Sequence, residues 1–364
     1  MPRTRWTITI LSFALMLGAS VWVVASHWPP GGLPALGVAA HAAAFGASIM
    51  DIVFRGVKIQ ASAHAVGLQL RFITAVKTGL AGDLAAAITP ARSGAEPARF
   101  LVLAEAGMPL AGRVLVLFME LFLEMCSLVL LCLTIAFLFR GRGTSVAGLL
   151  GLVAAYSVTV LSVGAIGLLI ARRNANGPPP AWARGIGLHA GRWRAVQRVL
   201  RELRHSVRSL RGANPWLMLV ALSGSFVHLV FRVAALPLLV FLGDRTFAVT
   251  MESLAPLVLW PLALFYGGVV VPAPGGGGFI EGAFAATLKG SIPSGIFAAS
   301  LIWWRFYTFY LYIIAGGLAA GDSAMRAIRR RDLVPSELSA ADGSNVDSEI
   351  GEDSVTTTSI KNSK

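Results

Sequence analysis

The stretch VVVPAPGGGGFIEGAF, Val269–Phe284, interrupts a strongly apolar part of the chain with two prolines, four consecutive glycines and a glutamate. Pro272 and Pro274 remove two backbone amide donors, and Gly275–Gly278 permit positive φ and close helix approach. Irregular backbone at membrane depth is stable only where it is buried in protein or lines a wet cavity. The stretch therefore predicts a broken or re-entrant helix that restarts at Phe279, with an anion-attracting N-terminus facing the break.

The composition places the chain in the membrane class. Of its 364 residues, 55% are hydrophobic and only 13% are charged, whereas a soluble domain has roughly 25% charged residues. Six histidines and two cysteines show no ligand spacing, so we predict no metal site and no cofactor. The net charge of +13 comes from arginines between apolar runs without an aromatic platform, which favours membrane topology and anionic lipid over nucleic acid.

Apolar runs of about 20 residues, the length that crosses a hydrocarbon core, recur along the chain. Two shorter, interrupted segments, Val66–Thr89 and Ala255–Leu288, are interpreted as re-entrant or broken helices. The fold class is thus an all-α polytopic integral membrane protein with eight hydrophobic segments, and eight full crossings are the alternative. The six predicted full spans lie near Trp6–Ala25, Leu33–Phe54, Leu110–Phe139, Ser145–Ala171, Pro215–Leu242 and Ser294–Ala320. The first is treated as a retained helix, because its apolar core is long and lacks a signal-peptidase site.

The arginine-rich segment Arg172–Arg211, within a basic loop at 172–213, sets the predicted orientation. It holds ten arginines and one acid, Glu202, and such loops stay on the cytoplasmic side. We expect an inner (plasma) membrane protein with both termini cytoplasmic. The segment is typical of an amphipathic helix on an anionic lipid surface, or equally of a solvated linker helix. Residues 1–325 form the predicted membrane domain, and the polar tail 326–364 is predicted to be disordered.

Charges around the first broken segment lead to its re-entrant interpretation. Arg55 and Lys58 precede the segment, Arg71 lies near its start, and Arg92 and Arg99 follow it. Both ends are therefore expected on the cytoplasmic side, whereas the second broken segment would enter and leave on the opposite face.

The two halves of the chain also share an order of elements. An offset of 184 pairs Pro90 with Pro274 and Gly94 with Gly278, and Glu96 lies opposite Glu281 at an offset of 185. Three crossings separate equivalent points, so repeat 1, about 33–139, and repeat 2, about 215–320, are predicted to be inverted. Inverted repeats with paired broken helices indicate a substrate site near the bilayer midplane.

Ionisable residues in these segments are candidates for a substrate path. Arg92 and Arg99 flank Glu96 at a helix start, an arrangement that suits a headgroup phosphate. Structural pairing of Glu96 and Glu281 with buried arginines is the alternative, with Glu281 or Glu120 expected to pair with Arg305. The predicted path comprises Arg92, Glu96, Arg99, Glu120, Glu124, Pro274, Gly276, Gly277, Gly278, Glu281 and Arg305. His228 and Arg232 form a further polar stripe, interpreted as inter-helix pairing.

Three motifs resemble the membrane region of lysylphosphatidylglycerol synthases, the flippase-like domain family. They are ITPARSGAEPARFLVLAEAGMPLAGRVLVLFMELFLEM from Ile88, VPAPGGGGFIEGAF from Val271 and WWRFYTFYLYIIAGG from Trp303. The similarity extends from about residue 5 to 325, although no arginine adjoins Glu120 as in the family's usual acidic cluster. The bifunctional synthases also have a soluble aminoacyl-transferase domain, so we expect this chain to have no aminoacylating activity.

The resemblance implies a lipid translocase, not an enzyme, that acts on an anionic or modified envelope lipid such as a phospholipid. No nucleophile–base pair or metal constellation suggests catalysis, and no catalytic residues are predicted. The alternative is a non-transporting accessory protein that scaffolds a membrane lipid (for example hopanoid) or glycan biosynthesis enzyme, an unidentified protein partner, through Arg172–Arg211.

Overall fold

The computed structural model describes residues 14, 18–28, 31–32, 35–89, 92–140, 148, 150–151, 153–162, 193, 212–267 and 274–321. Regular structure within these ranges is helical, and no strand occurs in them, which confirms the all-α class. The basic segment Arg172–Arg211, apart from Trp193, and the tail 326–364 lie outside the described residues, so the predictions made for them remain predictions.

Eight helices have both ends within the described ranges. They are α1 (Val38–Ala65), α2 (Phe72–Ile88), α3 (Ala95–Glu105), α4 (Leu110–Leu138), α5 (Pro215–Gly243), α6 (Met251–Gly267), α7 (Phe279–Leu288) and α8 (Phe297–Arg305). Residues 18–26 and Val153–Ser162 are also helical. A π-helical turn, Phe306–Tyr310, follows α8, and the helix then continues to residue 321.

Three of the described helices, α1, α4 and α5, are long and apolar enough to cross a membrane. They contain 28, 29 and 29 residues, which at 1.5 Å per residue corresponds to about 42–44 Å. Two other predicted full spans, Trp6–Ala25 and Ser145–Ala171, are described only in part. The count of six full spans therefore stays a prediction.

Local sequence chemistry sets the ends of the long helices. At the end of α1, Gly67 adopts φ +78°, and the amide of Leu68 donates to the carbonyl of Ala63 at 3.0 Å, as in a glycine-terminated helix. At the start of α5, the side chain of Asn214 accepts hydrogen bonds from the amides of Trp216 and Leu217. Such a cap satisfies amides that have no partner inside the helix.

The predicted end of one span at Phe54 is wrong. Helix α1 continues to Ala65, so Arg55 and Lys58 lie inside it with 4% and 0% exposure. Both charges therefore lie within α1 and not beyond its end, and the re-entrant interpretation loses two of its supports. The physical reason is that acids on other helices neutralise both side chains, and a search for apolar runs does not see such pairing.

Both interruptions are present where the sequence predicts them. In the first, Thr89 follows α2, and its hydroxyl donates to the carbonyl of Ala85 at 2.6 Å and accepts from the amide of Gly94 at 2.9 Å. In the second, a 3₁₀ turn at Pro274–Gly276 precedes α7. Gly275, Gly276 and Gly278 adopt φ of +62°, +65° and +73°, so the predicted positive φ is confirmed there, as is the helix start at Phe279.

Close packing brings the two interruptions together. Helices α1 and α5 approach so closely at Gly224 that a Cβ atom there would lie 3.2 Å from the carbonyl oxygen of Phe54. A Cβ on Gly316 would lie only 2.6 Å from the carbonyl oxygen of Leu80 in α2. Helix α2 also contacts the Pro274–Gly276 turn. The polar ends of both broken segments thus face a common interior.

Candidate substrate site between the two helix breaks

The described helices enclose a cluster of buried and partly buried charged side chains that come from both halves of the chain. Charged groups at membrane depth are stable only when they are paired or hydrated, and almost every member of this cluster has a partner. The cluster comprises Asp51, Arg55 and Lys58 of α1, Asp83 of α2, Arg99 of α3, Glu120 and Glu124 of α4, His228 and Arg232 of α5, Glu281 of α7, and Arg305 of α8.

One group of ion pairs surrounds the predicted acids of α4. The Arg99 guanidinium lies 2.9 Å from Glu96 and 3.2 Å from Glu120. The Lys58 ammonium lies 2.6 Å from Glu124 and 3.8 Å from Glu120. Four residues of the predicted path are therefore adjacent, and Lys58, which the sequence analysis assigned to a flank, completes the group.

A second group is centred on Asp51, which is fully buried. Its carboxylate accepts from Nε of Arg232 at 3.1 Å and from the hydroxyl of Tyr312, and it lies 3.1 Å from Nδ1 of His228. The interpretation of His228 and Arg232 as an inter-helix pairing stripe is confirmed. Asp51 itself was missed, although a lone acid within an apolar run is a usable signal.

A third pair connects the glycine turn to the last span. Nε of Arg305 donates to Glu281 at 2.7 Å, and its Nη2 lies 3.4 Å from the carbonyl oxygen of Gly275. The guanidinium also lies 4.3 Å from the centroid of the Phe309 ring, a cation–π contact. Of the two partners expected for Arg305, the structure selects Glu281.

Two adjacent cavities lie among these groups. The first, here called the arginine cavity, is about 60 Å³ and is lined by Arg92, Arg232 and Arg305 together with Gly275 of the turn. The second, here called the carboxylate cavity, is about 220 Å³ and is lined by Glu96, Arg99, Glu120, Glu124 and Tyr266. Four residues line both cavities, namely Asp83, Arg92, Arg232 and Phe265.

Arg92 differs from the other cations of the site. Arg55, Arg99, Arg232 and Arg305 each have a carboxylate within 4.0 Å, whereas no described acid forms such a pair with Arg92. Arg92 also has a positive φ of +56°, and no other non-glycine residue in the described part of the chain does. Such a conformation costs about 1–3 kcal/mol and is concentrated at functional positions. The tip of the first break therefore presents to both cavities a guanidinium that forms no ion pair with a described residue.

The remaining predicted residues support the site but do not line either cavity. Glu281 does not line either cavity and approaches the arginine cavity only through Arg305. Pro274 begins the 3₁₀ turn, and Gly276–Gly278 form the backbone before α7. These residues shape the site rather than face its interior.

Some features of the site were not anticipated from the sequence. Arg113 of α4 donates to the carbonyl of Met108 at 2.8 Å and lies over the ring of Phe100. Asp83, which pairs with Arg55 at 2.6 Å and lines both cavities, was missed. Within the described ranges no group of three or more His, Cys, Asp or Glu residues is arranged to hold a metal ion.

The fold and the buried charges define a helical membrane domain with a charged interior site. A comparison with family models matches residues 6–316 to the lysylphosphatidylglycerol synthase TM region, and the chain belongs to this family. The resemblance of the three motifs is thereby confirmed. No curated protein matches the chain.

Proposed function

We propose that this protein translocates an anionic or modified envelope lipid across the membrane, with the headgroup passing through the arginine and carboxylate cavities. The observation that supports the proposal most directly is Arg92, which lines both cavities and has no acid within 4.0 Å among the described residues. A guanidinium donates parallel hydrogen bonds to a phosphate. The proposed activity is transport and not catalysis.

The geometry suits a headgroup that has both a phosphate and a cationic modification. Arg92 supplies the phosphate contact, and Glu96, whose side chain is 54% exposed, supplies an acid that a cationic group can approach. The arginine cavity is smaller than the carboxylate cavity. The headgroup is therefore proposed to bind first in the carboxylate cavity and to pass Arg92 before it meets the glycine turn.

The proposal includes an inverted six-span arrangement in the inner membrane with both termini cytoplasmic. A variant without Cys126 and Cys132 and with Ala190→Cys tests the orientation. We expect this cysteine to resist a membrane-impermeant thiol reagent applied to intact cells and to react after permeabilisation. Reaction in intact cells would contradict the proposed arrangement.

Reconstitution tests the activity itself. Purified protein is placed in vesicles that contain a fluorescent phosphatidylglycerol in both leaflets, and dithionite is added outside. We expect faster loss of inner-leaflet fluorescence than in protein-free vesicles. Equal rates for phosphatidylglycerol and for a fluorescent lysyl-modified phosphatidylglycerol, both matching protein-free vesicles, would contradict translocation of these lipids.

Two variants with the same change of charge locate the path. Arg92→Gln removes a charge-assisted hydrogen bond worth about 1.5–3 kcal/mol, which corresponds to roughly tenfold slower movement or more. Lys77→Gln is the matched control, because Lys77 is exposed on α2 and lines neither cavity. If both variants transport equally well, Arg92 is not part of the path.

A further inference from the structure

A continuous hydrogen-bonded chain connects the two cavities through the imidazole of His228. This side chain is fully buried, with Nδ1 3.1 Å from Asp51 Oδ1 and Nε2 3.0 Å from Glu124 Oε2. At one end, the hydroxyl of Tyr312 donates to Asp51 and its side chain lines the arginine cavity. At the other end, the hydroxyl of Tyr266 donates to Glu124 at 3.1 Å, and both residues line the carboxylate cavity.

The two short contacts of His228 require more hydrogens than a neutral ring provides. A neutral imidazole has one N–H and one lone pair, whereas a carboxylate only accepts hydrogen bonds. Two nitrogen–oxygen contacts of about 3 Å therefore need a second proton, on the ring or on one of the carboxyl groups. The Asp51–His228–Glu124 triad is thus built to hold one exchangeable proton.

The charges around the triad allow it to release its exchangeable proton and to bind a proton again. Each carboxylate of the triad has a cation of its own, because Arg232 lies 3.1 Å from Asp51 and Lys58 lies 2.6 Å from Glu124. Neither carboxylate depends on a cationic ring for charge compensation. Among the described residues, the titratable and charged groups that face the triad are Asp51, Arg55 and Lys58 of α1, Glu120 and Glu124 of α4, Arg232 of α5, Tyr266 of α6 and Tyr312 of the last helix.

We propose that the Asp51–His228–Glu124 triad is a proton-binding site that passes protons between the two cavities and couples them to lipid movement. The proton site follows from the geometry, whereas its coupling to lipid rests on the proposed function. Water in the carboxylate cavity protonates Glu124, which transfers the proton to Nε2 of His228. The ring then releases its Nδ1 proton to Asp51. Asp51 passes a proton to the oxygen of Tyr312 as the hydroxyl of Tyr312 releases its own proton to water in the arginine cavity.

One proton crosses in this sequence, and only O–H and N–H bonds are made and broken. The ring is left with its hydrogen on Nε2. It regains the starting tautomer by rotating away from the two carboxylates and exchanging protons with cavity water, so that Nε2 loses one proton and Nδ1 gains one. The driving force is the proton gradient across the membrane. No oxidant, reductant or other reactant takes part.

The first test detects the proton on His228 without reference to transport. Full-length protein with ¹⁵N-labelled histidine is placed in nanodiscs, and the imidazole nitrogen signals are followed by NMR as the pH changes. The signal that His228→Gln removes is expected to change between ring protonation states. His41→Gln is the control, since its Nδ1 contacts the hydroxyl of Tyr307 and no acid. A His228 signal that stays in one state with pH would overturn the proton site.

The second test measures coupling in vesicles that contain a fluorescent phosphatidylglycerol and an internal pH dye. In the unmodified protein, an imposed proton gradient is expected to change the rate of lipid movement several-fold. His228→Gln and Tyr312→Phe should lose this response, and His41→Gln should keep it. Tyr312→Phe removes only the hydroxyl that connects Asp51 to the arginine cavity, so it still tests the proposal if His228→Gln fails to fold.

The outcomes separate the two proposals. If no lipid moves under any gradient, the proposed function fails, coupling fails with it, and NMR alone decides whether the triad binds a proton. If lipid moves at a rate that ignores the gradient, translocation stands and proton coupling is overturned. If His228→Gln and His41→Gln respond to the gradient alike, the triad is not the coupling site.

Discussion

Replacement of Glu281 by glutamine is expected to destabilise the protein strongly, because the Arg305–Glu281 pair is buried. The Glu281 side chain is 4% exposed and the Arg305 side chain is 7% exposed, and Nε of Arg305 lies 2.7 Å from Oε1 of Glu281. Glu281→Gln keeps the shape and a hydrogen-bond acceptor but leaves the Arg305 cation uncompensated. Removal of one partner from a buried pair costs about 3–5 kcal/mol. At about 2–4 °C per kcal/mol, the melting temperature should fall by roughly 6–20 °C.

The measurement is a thermal melt of the purified protein in nanodiscs, run as a double-mutant cycle with Arg305→Met. Each single variant leaves one buried charge, whereas the double variant leaves none. The double variant should therefore melt above Glu281→Gln, because exchange of a buried pair for uncharged side chains is often nearly neutral. Glu252→Gln is the matched control, since Glu252 is also in a first helical turn but is exposed. Glu252→Gln should lower the free energy of unfolding by less than about 1 kcal/mol.

Two results would refute this reasoning. One is a Glu281→Gln variant that melts within the range of Glu252→Gln, which would mean that water or another group compensates Arg305. The other is a double variant destabilised by the sum of the two single changes, which would mean that the two charges do not interact.

Two further substitutions test the close contacts that hold the broken helices together. Gly316→Ala should lower the melting temperature, because its Cβ would lie 2.6 Å from the carbonyl oxygen of Leu80. Gly317→Ala, with nothing within 4 Å, should melt like the unmodified protein, and equal melting of both would contradict this contact. Gly275→Ala should destabilise the turn, because φ is +62° and a phenylalanine ring occupies the Cβ position. Gly282→Ala, with open space around it, is its control in the same melt.

The interruptions could be predicted from sequence because their causes are local. Two prolines and four glycines determine backbone donors and permitted φ without reference to the rest of the chain. The pairing of Arg305 with Glu281 was also within reach, since a lone charge in an apolar span needs a partner. The choice of Glu281 over Glu120 needed the structure, because it depends on how α7 packs against α8.

The length of α1 and the central role of Asp51 could not be found by the same method. Arg55 and Lys58 end an apolar run in the sequence, but their partners lie 28 and 66 positions away, and only packing shows them. Arg92 was selected for its charge. Its positive φ was not predictable, because this conformation is disfavoured for any side chain with a Cβ and persists here only through its surroundings.

The distribution of ion pairs indicates where a lipid phosphate is able to bind at low cost. A phosphate that approached Arg232 or Arg305 would have to compete with Asp51 or Glu281, and disruption of a buried pair costs about 3–5 kcal/mol. Arg92 has no such pair among the described residues, so its guanidinium is available without that loss. Arg92 is therefore the cation at which a passing phosphate gains most, and its replacement should impair transport more than it impairs folding.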